Sequence, residues 1–165
     1  MLRLAIVASL LLLLSGCSTK QTKPYSKAST KKEKPSYKPK QQNWITTSLY
    51  EEYKEWHKTP HKLGGISKKG VDCSSLIQRV YRDAFNISLP RTTKNQAKKG
   101  YQVNKNSSRE GDLVFFKTGY NTRHVGIIIE KDKFMHTSKK YGVMVSSLNN
   151  PYWKSKYWQS RRVLP

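Results

Sequence analysis

Three side chains in this 165-residue sequence could make one chemical machine: Cys73, His124 and His136. A thiol becomes a strong nucleophile when it loses its proton, and an imidazole in hydrogen-bond reach is a common acceptor. In that scheme Cys73 attacks a carbonyl. His124 takes the thiol proton and later hands it to the leaving amine. A third polar group must hold the imidazole's tautomer and orientation, and His136 can do this as a hydrogen-bond acceptor. A lone cysteine is more often a buried packing residue, and a lone histidine more often sits on the surface or in a satisfied core position. The spacing of these three is what favours chemistry.

The elements that must position them can be read from the chain. In Gly70-Val-Asp-Cys-Ser-Ser-Leu-Ile-Gln-Arg-Val-Tyr81, Asp72 is a good helix N-cap. Leu76, Ile77, Val80 and Tyr81 repeat at helical spacing, which predicts a helix from Asp72 to about Phe85 with one apolar face. Cys73 falls in its first turn, where the dipole and free N–H groups favour a thiolate. The same N–H groups are available as an oxyanion hole, so Asp72 and Ser74 join the substrate-facing set. In His124-Val-Gly-Ile-Ile-Ile129 the side chains alternate, putting His124 on the face of Gly126 and Ile128. Gly126 lacks a side chain, so another element can approach there. A turn near Lys131-Asp132 makes the His136 strand its neighbour, and the two histidines become cross-strand or diagonal partners. That sheet is expected to pack against the Cys73 helix.

A first helix is predicted over 44–57 from Trp44, Leu49, Tyr53 and Trp56, and a short one from Thr92 to Lys99 before Gly100. The second half changes period. Asp112 to Phe116, His124 to Glu130, Lys133 to Ser138, Val143 to Leu148 and Ser160 to Leu164 read as strands separated by turn residues. The fold class is therefore α+β: N-terminal helices on an antiparallel sheet of about five strands.

The N-terminus reads as an address. Arg3 precedes an apolar run, Leu4 to Leu14, that is too short for a bilayer span and suits a signal peptide. Leu14-Ser-Gly-Cys17 resembles a bacterial lipobox, so residues 1–16 form the leader and Cys17 the lipid anchor. The non-acidic Ser18, by resemblance to lipoprotein sorting rules, implies the outer membrane, facing the periplasm. Residues 17–42 carry eight lysines, one acid and three prolines, a composition expected to form a disordered basic tether. The domain proper is 43–165. With Cys17 acylated, Cys73 has no disulfide partner.

The net charge is +22, from 32 Lys and Arg against 10 Asp and Glu, and the domain alone carries +14. Such a balance attracts polyanions. Secretion removes nucleic acid from the expected partners. Wall-peptide carboxylates and anionic envelope polymers remain.

Several blocks together resemble the NlpC-type cysteine peptidases: Asp72-Cys-Ser-Ser75, Glu110-Gly-Asp-Leu-Val-Phe-Phe116, His124-Val-Gly-Ile127 and Phe134-Met-His136. Leu63-Gly-Gly65, Leu89-Pro-Arg91 and the Tyr152-Trp153 to Arg162 ending match as well. The likeness runs from about Trp44 to Arg162. It implies a compact papain-like domain, a Cys73–His124–His136 triad, no cofactor, and a monomer that hydrolyses peptidoglycan stem-peptide or crosslink bonds: D-γ-glutamyl–diaminopimelate or D-alanyl–diaminopimelate. Two positions depart from the family pattern. Ser75 stands where Gly is usual. His61 stands where a Tyr is usual, and it can donate a hydrogen bond to substrate there. His57 reads as a surface residue. The rival readings are a non-catalytic wall-binding lipoprotein on the same fold and a zinc hydrolase ligated by Cys73, His124 and His136, although the usual zinc spacings are absent.

Overall fold

The computed structural model describes residues 44–165. The leader, Cys17 and the basic tether lie outside the described residues. Helix α1 (Trp44–Trp56) is followed by a two-residue ladder, β1 (Ile66–Ser67) with β2 (Gly70–Val71). Then come α2 (Cys73–Phe85), α3 (Thr93–Gln96) and the short strand β3 (Tyr101–Val103). After a 3₁₀ turn the chain builds β4 (Leu113–Lys117), β5 (Arg123–Glu130), β6 (Lys133–Ser138) and β7 (Gly142–Ser147). It ends with α4 (Pro151–Lys156) and β8 (Tyr157–Arg162).

The main sheet has six strands in the order β3-β8-β4-β5-β6-β7, and every neighbouring pair is antiparallel. The expectation of about five strands was one short. The addition is β3, three residues that pair with β8 at the edge. Its Tyr101 and Gln102 are exposed, so it carries no inward alternation to read. The helix expected over Thr92 to Lys99 is a single turn. Residues 151–156 form a helix where only a turn was expected to begin. Asn150 caps it by accepting from the Tyr152 N–H at 3.0 Å, and Pro151 opens it with a φ already suited to a helix.

The sheet has two covered faces. On one, Val125, Ile127 and Ile129 of β5 join Leu76, Ile77, Val80 and Tyr81 of α2 and Leu49 of α1 in the principal core. These α2 residues are fully buried, and burying each large apolar side chain is worth about 1.5–3 kcal/mol. The Tyr81 hydroxyl donates to the Gly111 carbonyl just before β4, tying α2 to the sheet. On the other face, Val114, Phe116, Ile128 and Phe134 form a second cluster beneath Trp153 and Tyr157.

This separation corrects one expectation. The face carrying His124, Gly126 and Ile128 is covered by Trp153 of α4, not by the Cys73 helix, which packs on the Val125 face. The partner that fills the space over Gly126 is the Phe134 ring of the adjacent strand. The β5–β6 ladder ends at Ile127–Met135. His124 and His136 therefore lie beyond its last pair.

Gly126 makes that neighbourhood sensitive to a single methyl. A Cβ there would lie 2.5 Å from the Phe134 ring and 2.9 Å from the Met135 carbonyl oxygen. Gly126→Ala should destabilise the domain by about 1–3 kcal/mol through overpacking, measured as a lowered thermal midpoint. An unchanged midpoint would contradict the packing described.

Candidate active site

The site begins at the turn into α2. Asp72 has extended backbone angles and closes a capping box: its carboxylate accepts from the Ser75 N–H at 2.8 Å, and the Ser75 hydroxyl oxygen accepts from the Asp72 N–H at 3.1 Å. Ser75 also donates to the Gly65 carbonyl, which ties the Gly-Gly loop to the helix start. The Asp72 carboxylate accepts three further donors. These are the Ser74 hydroxyl at 3.0 Å, the Gly64 N–H at 3.1 Å and a two-pronged Arg91 guanidinium at 2.6 and 3.1 Å. Burial pushes the carboxyl up, but Arg91, the Ser75 N–H and the Ser74 hydroxyl outweigh it and hold Asp72 below the usual carboxylate range. Asp72 and Ser74 were expected to offer backbone N–H groups as an oxyanion hole. The Asp72 N–H is instead taken by the Gly65 carbonyl and the Ser75 hydroxyl, and the side chains of both residues join this inward network.

Cys73 is the first residue of α2 and is partly buried. Its sulfur lies 3.6 Å from the Thr93 hydroxyl oxygen of α3. It also lies against the backbone N–H groups of Val125 and Ser74. Val125 directly follows His124, so the sulfur meets β5 one residue from that imidazole. Burial pushes the Cys73 thiol above its ordinary value, and the neighbouring Asp72 charge adds to it. The Thr93 hydroxyl and the Val125 and Ser74 N–H groups pull the other way without prevailing. The helix start alone was expected to favour thiolate, so the resting thiol is a correction, and desolvation is its cause.

The two histidines meet. His124 Nε2 and His136 Nδ1 are 3.1 Å apart, with the rings nearly perpendicular at 87°. His136 is 2% exposed, and its Nε2 lies 2.9 Å from the Ser146 hydroxyl oxygen on β7. Burial lowers His124 to about 3, helped by the charges of His136 and His61. Burial lowers His136 to about 4, opposed in part by the Thr137 carbonyl. Both rings are therefore neutral at neutral pH. The Trp153 indole stacks on His124 at 5.4 Å and 22°, and meets His136 edge-on at 4.9 Å. His124 Nε2 and His136 Nδ1 face each other as hydrogen-bond partners, and among the described residues no group of three or more His, Cys, Asp or Glu is placed to hold a metal ion.

His61 forms a lone backbone bridge with Val71, next to Asp72, and stands near enough to His124 to act on its charge. His57 is exposed, its ring against Tyr53. Four residues near the site were not singled out from sequence as site residues: Arg91, Thr93, Ser146 and Trp153. Arg91 and Trp153 stand inside blocks already noted. Thr93 and Ser146 carry no local signal, since only tertiary packing brings them in.

Residues 58–162 match the NlpC/P60 family. The chain is 39% identical to the probable endopeptidase NlpC of Escherichia coli K12 over 164 residues, which is 98% of this chain and 100% of that protein. It is 43% identical over 120 residues to the murein DD-endopeptidase MepS/murein LD-carboxypeptidase of the same organism, covering 73% of this chain and 64% of the relative. A solved NLP/P60 family protein from Staphylococcus aureus, described as similar to lipoprotein, superimposes with a TM-score of 0.67 at 31% identity. That match covers 74% of this chain and 42% of the other.

The neutral histidines give stability a pH dependence of known sign. Unfolded, an imidazole takes a proton near its ordinary value of 6.5; folded, these two resist until about 3 and 4. Between those limits the unfolded chain binds more protons. Their contribution is thus fully present above pH 6.5 and is lost as pH falls through about 4 toward 3. The thermal midpoint should drop across that window, and His124→Gln with His136→Gln should flatten the slope. A midpoint that rises on acidification through that window would contradict neutral burial.

Proposed function

We propose that this chain, which belongs to the NlpC/P60 family, is a lipid-anchored cysteine endopeptidase that hydrolyses amide bonds in peptidoglycan stem peptides or crosslinks. The observation that carries the reading is the order of groups: a thiol at a helix start, an imidazole one residue from the backbone it touches, and a second imidazole on the far nitrogen of the first. Relatives described as a murein DD-endopeptidase and as a peptidoglycan DL-endopeptidase give the substrate class.

The chemistry runs as follows. His124 accepts the Cys73 thiol proton as the sulfur bonds to the scissile carbonyl carbon. The carbonyl π electrons move to oxygen, and the Cys73 N–H at the unpaired start of α2 stabilises the oxyanion, with His61 as a second donor. When the tetrahedral species collapses, the C–N bond breaks and His124 returns the proton to the leaving amine. Water then attacks the thioester. His124 takes its proton, and the thiol re-forms as the acid product leaves. His136 holds the ring throughout. Arg91 and Asp72 bind no substrate in this reading; they fix the turn.

Acylation of Cys17 anchors the enzyme to the outer membrane, and the basic tether lets the domain reach the wall from the periplasmic side. The domain's excess of lysine and arginine attracts the carboxylates of wall peptides.

Purified sacculi digested with the protein and analysed by mass should release peptides with new ends at diaminopimelate, which also identifies the bond. Cys73→Ala should abolish release with the thermal midpoint intact, and His124→Ala nearly so. His136→Ala should leave more residual rate. Release that survives Cys73→Ala, or that a zinc chelator abolishes, would overturn the thiol mechanism. Sacculi bound but uncut by the wild-type chain would favour a wall-binding role.

A further inference from the structure

The histidine pair does not end at His136. Its Nε2 continues to the Ser146 hydroxyl at 2.9 Å, while its Nδ1 faces His124 Nε2 at 3.1 Å. A neutral imidazole has one N–H and one bare nitrogen. The hydrogen bonds of the row His124–His136–Ser146 must therefore all run in one direction. Within the row itself two arrangements exist, with the Thr137 carbonyl beside the His136 ring as a further acceptor for its N–H.

In the first, the Ser146 hydroxyl donates to His136 Nε2. His136 then carries its proton on Nδ1 and donates to His124 Nε2. His124 is left with its proton on Nδ1 and cannot accept one there. In the second, Ser146 accepts. His136 carries its proton on Nε2, its Nδ1 accepts from His124 Nε2–H, and His124 Nδ1 presents a lone pair. The position of one serine hydrogen thus decides whether the first imidazole is a base.

The rings are not free to escape this choice by turning away. The Phe134 ring stacks on His136 at 4.9 Å and 29°, and Trp153 covers both imidazoles. Packing fixes the ring planes, so the hydrogen positions are the remaining variable. Ser146 is only partly buried. As acceptor it can direct its own O–H to solvent, so accepting leaves no donor unsatisfied.

We infer that Ser146 is a positioning residue: as terminal acceptor of the row it sets both imidazoles in the Nε2–H tautomer and so leaves His124 Nδ1 as the base. This rests on the peptidase reading above, but its direct readout does not require substrate. The ¹⁵N spectrum of the histidine rings of the full chain at neutral pH should show Nε2–H on both His124 and His136. Ser146→Ala should shift the His136 ring signals toward a tautomer mixture and lower kcat for peptide release by up to roughly tenfold with KM unchanged, the rate equivalent of one hydrogen bond's net contribution. Ser146→Thr, which keeps the hydroxyl, should restore both. Nδ1–H on His124 in the wild-type chain would overturn the inference, even if Ser146→Ala does not fold. So would a folded Ser146→Ala with unchanged ring signals and kcat. Nε2–H rings in a wild-type chain that releases no peptide would instead overturn the peptidase reading and leave the tautomer assignment standing.

Discussion

The Asp72 carboxylate is the constraint on which this molecule turns. It caps α2, holds Gly64 of the preceding loop, engages the Ser74 hydroxyl and takes both prongs of Arg91. Capping alone is worth about 1 kcal/mol. The ion pair adds less than a fully buried one would, because the Arg91 side chain is 39% exposed and partly screened. The larger consequence is geometric. Three segments converge on one carboxyl group: the Gly-Gly loop, the helix start and the Arg91 stretch, with Gln96 behind them. Gln96 donates to the Ser74 and Pro90 carbonyls at 2.9 Å each, closing the same knot. Cys73 is the residue held in the middle, and it has little freedom to place its sulfur elsewhere.

Around that fixed sulfur, desolvation wins over the helix dipole. The dipole and a few N–H groups offer an anion about 0.3–1 kcal/mol at an exposed site, up to about 2 in a partly buried one. Burial moves the thiol, His124 and His136 each toward its neutral form. The resting thiol and both imidazoles are therefore neutral, and under the proposed mechanism charge separation belongs to the moment of attack. The indole of Trp153 contributes to that state by covering the imidazoles on the face away from α2.

Much of this was legible in the sequence because it is local. The α2 helix has its cap, its first-turn cysteine and its apolar face within 14 residues, and all three are as read. Strands β4 to β7 are short apolar runs bounded by turn residues, which is enough to declare them, and the turn at Asp132 makes His124 and His136 neighbours. What sequence could not supply depends on which face meets which element. Alternation put His124 with Gly126 and Ile128, but nothing local says that an indole rather than a helix covers them. The inward turn of Asp72 and Ser74 was hidden for the same reason, since Arg91 arrives 19 residues later. Strand β3 was invisible because three exposed residues at an edge carry no pattern. Serine at position 146 looks like any other strand serine until β6 and β7 pair.

The central claim is that His124 is the proton acceptor for Cys73. The most direct measurement is the rate of Cys73 alkylation by iodoacetamide at neutral pH, in a chain with Cys17→Ser, with and without His124→Ala. It needs no substrate. The account predicts labelling slowed by roughly a hundredfold when the imidazole is removed, the low end of what a positioned base contributes. Equal rates in the two chains would contradict it.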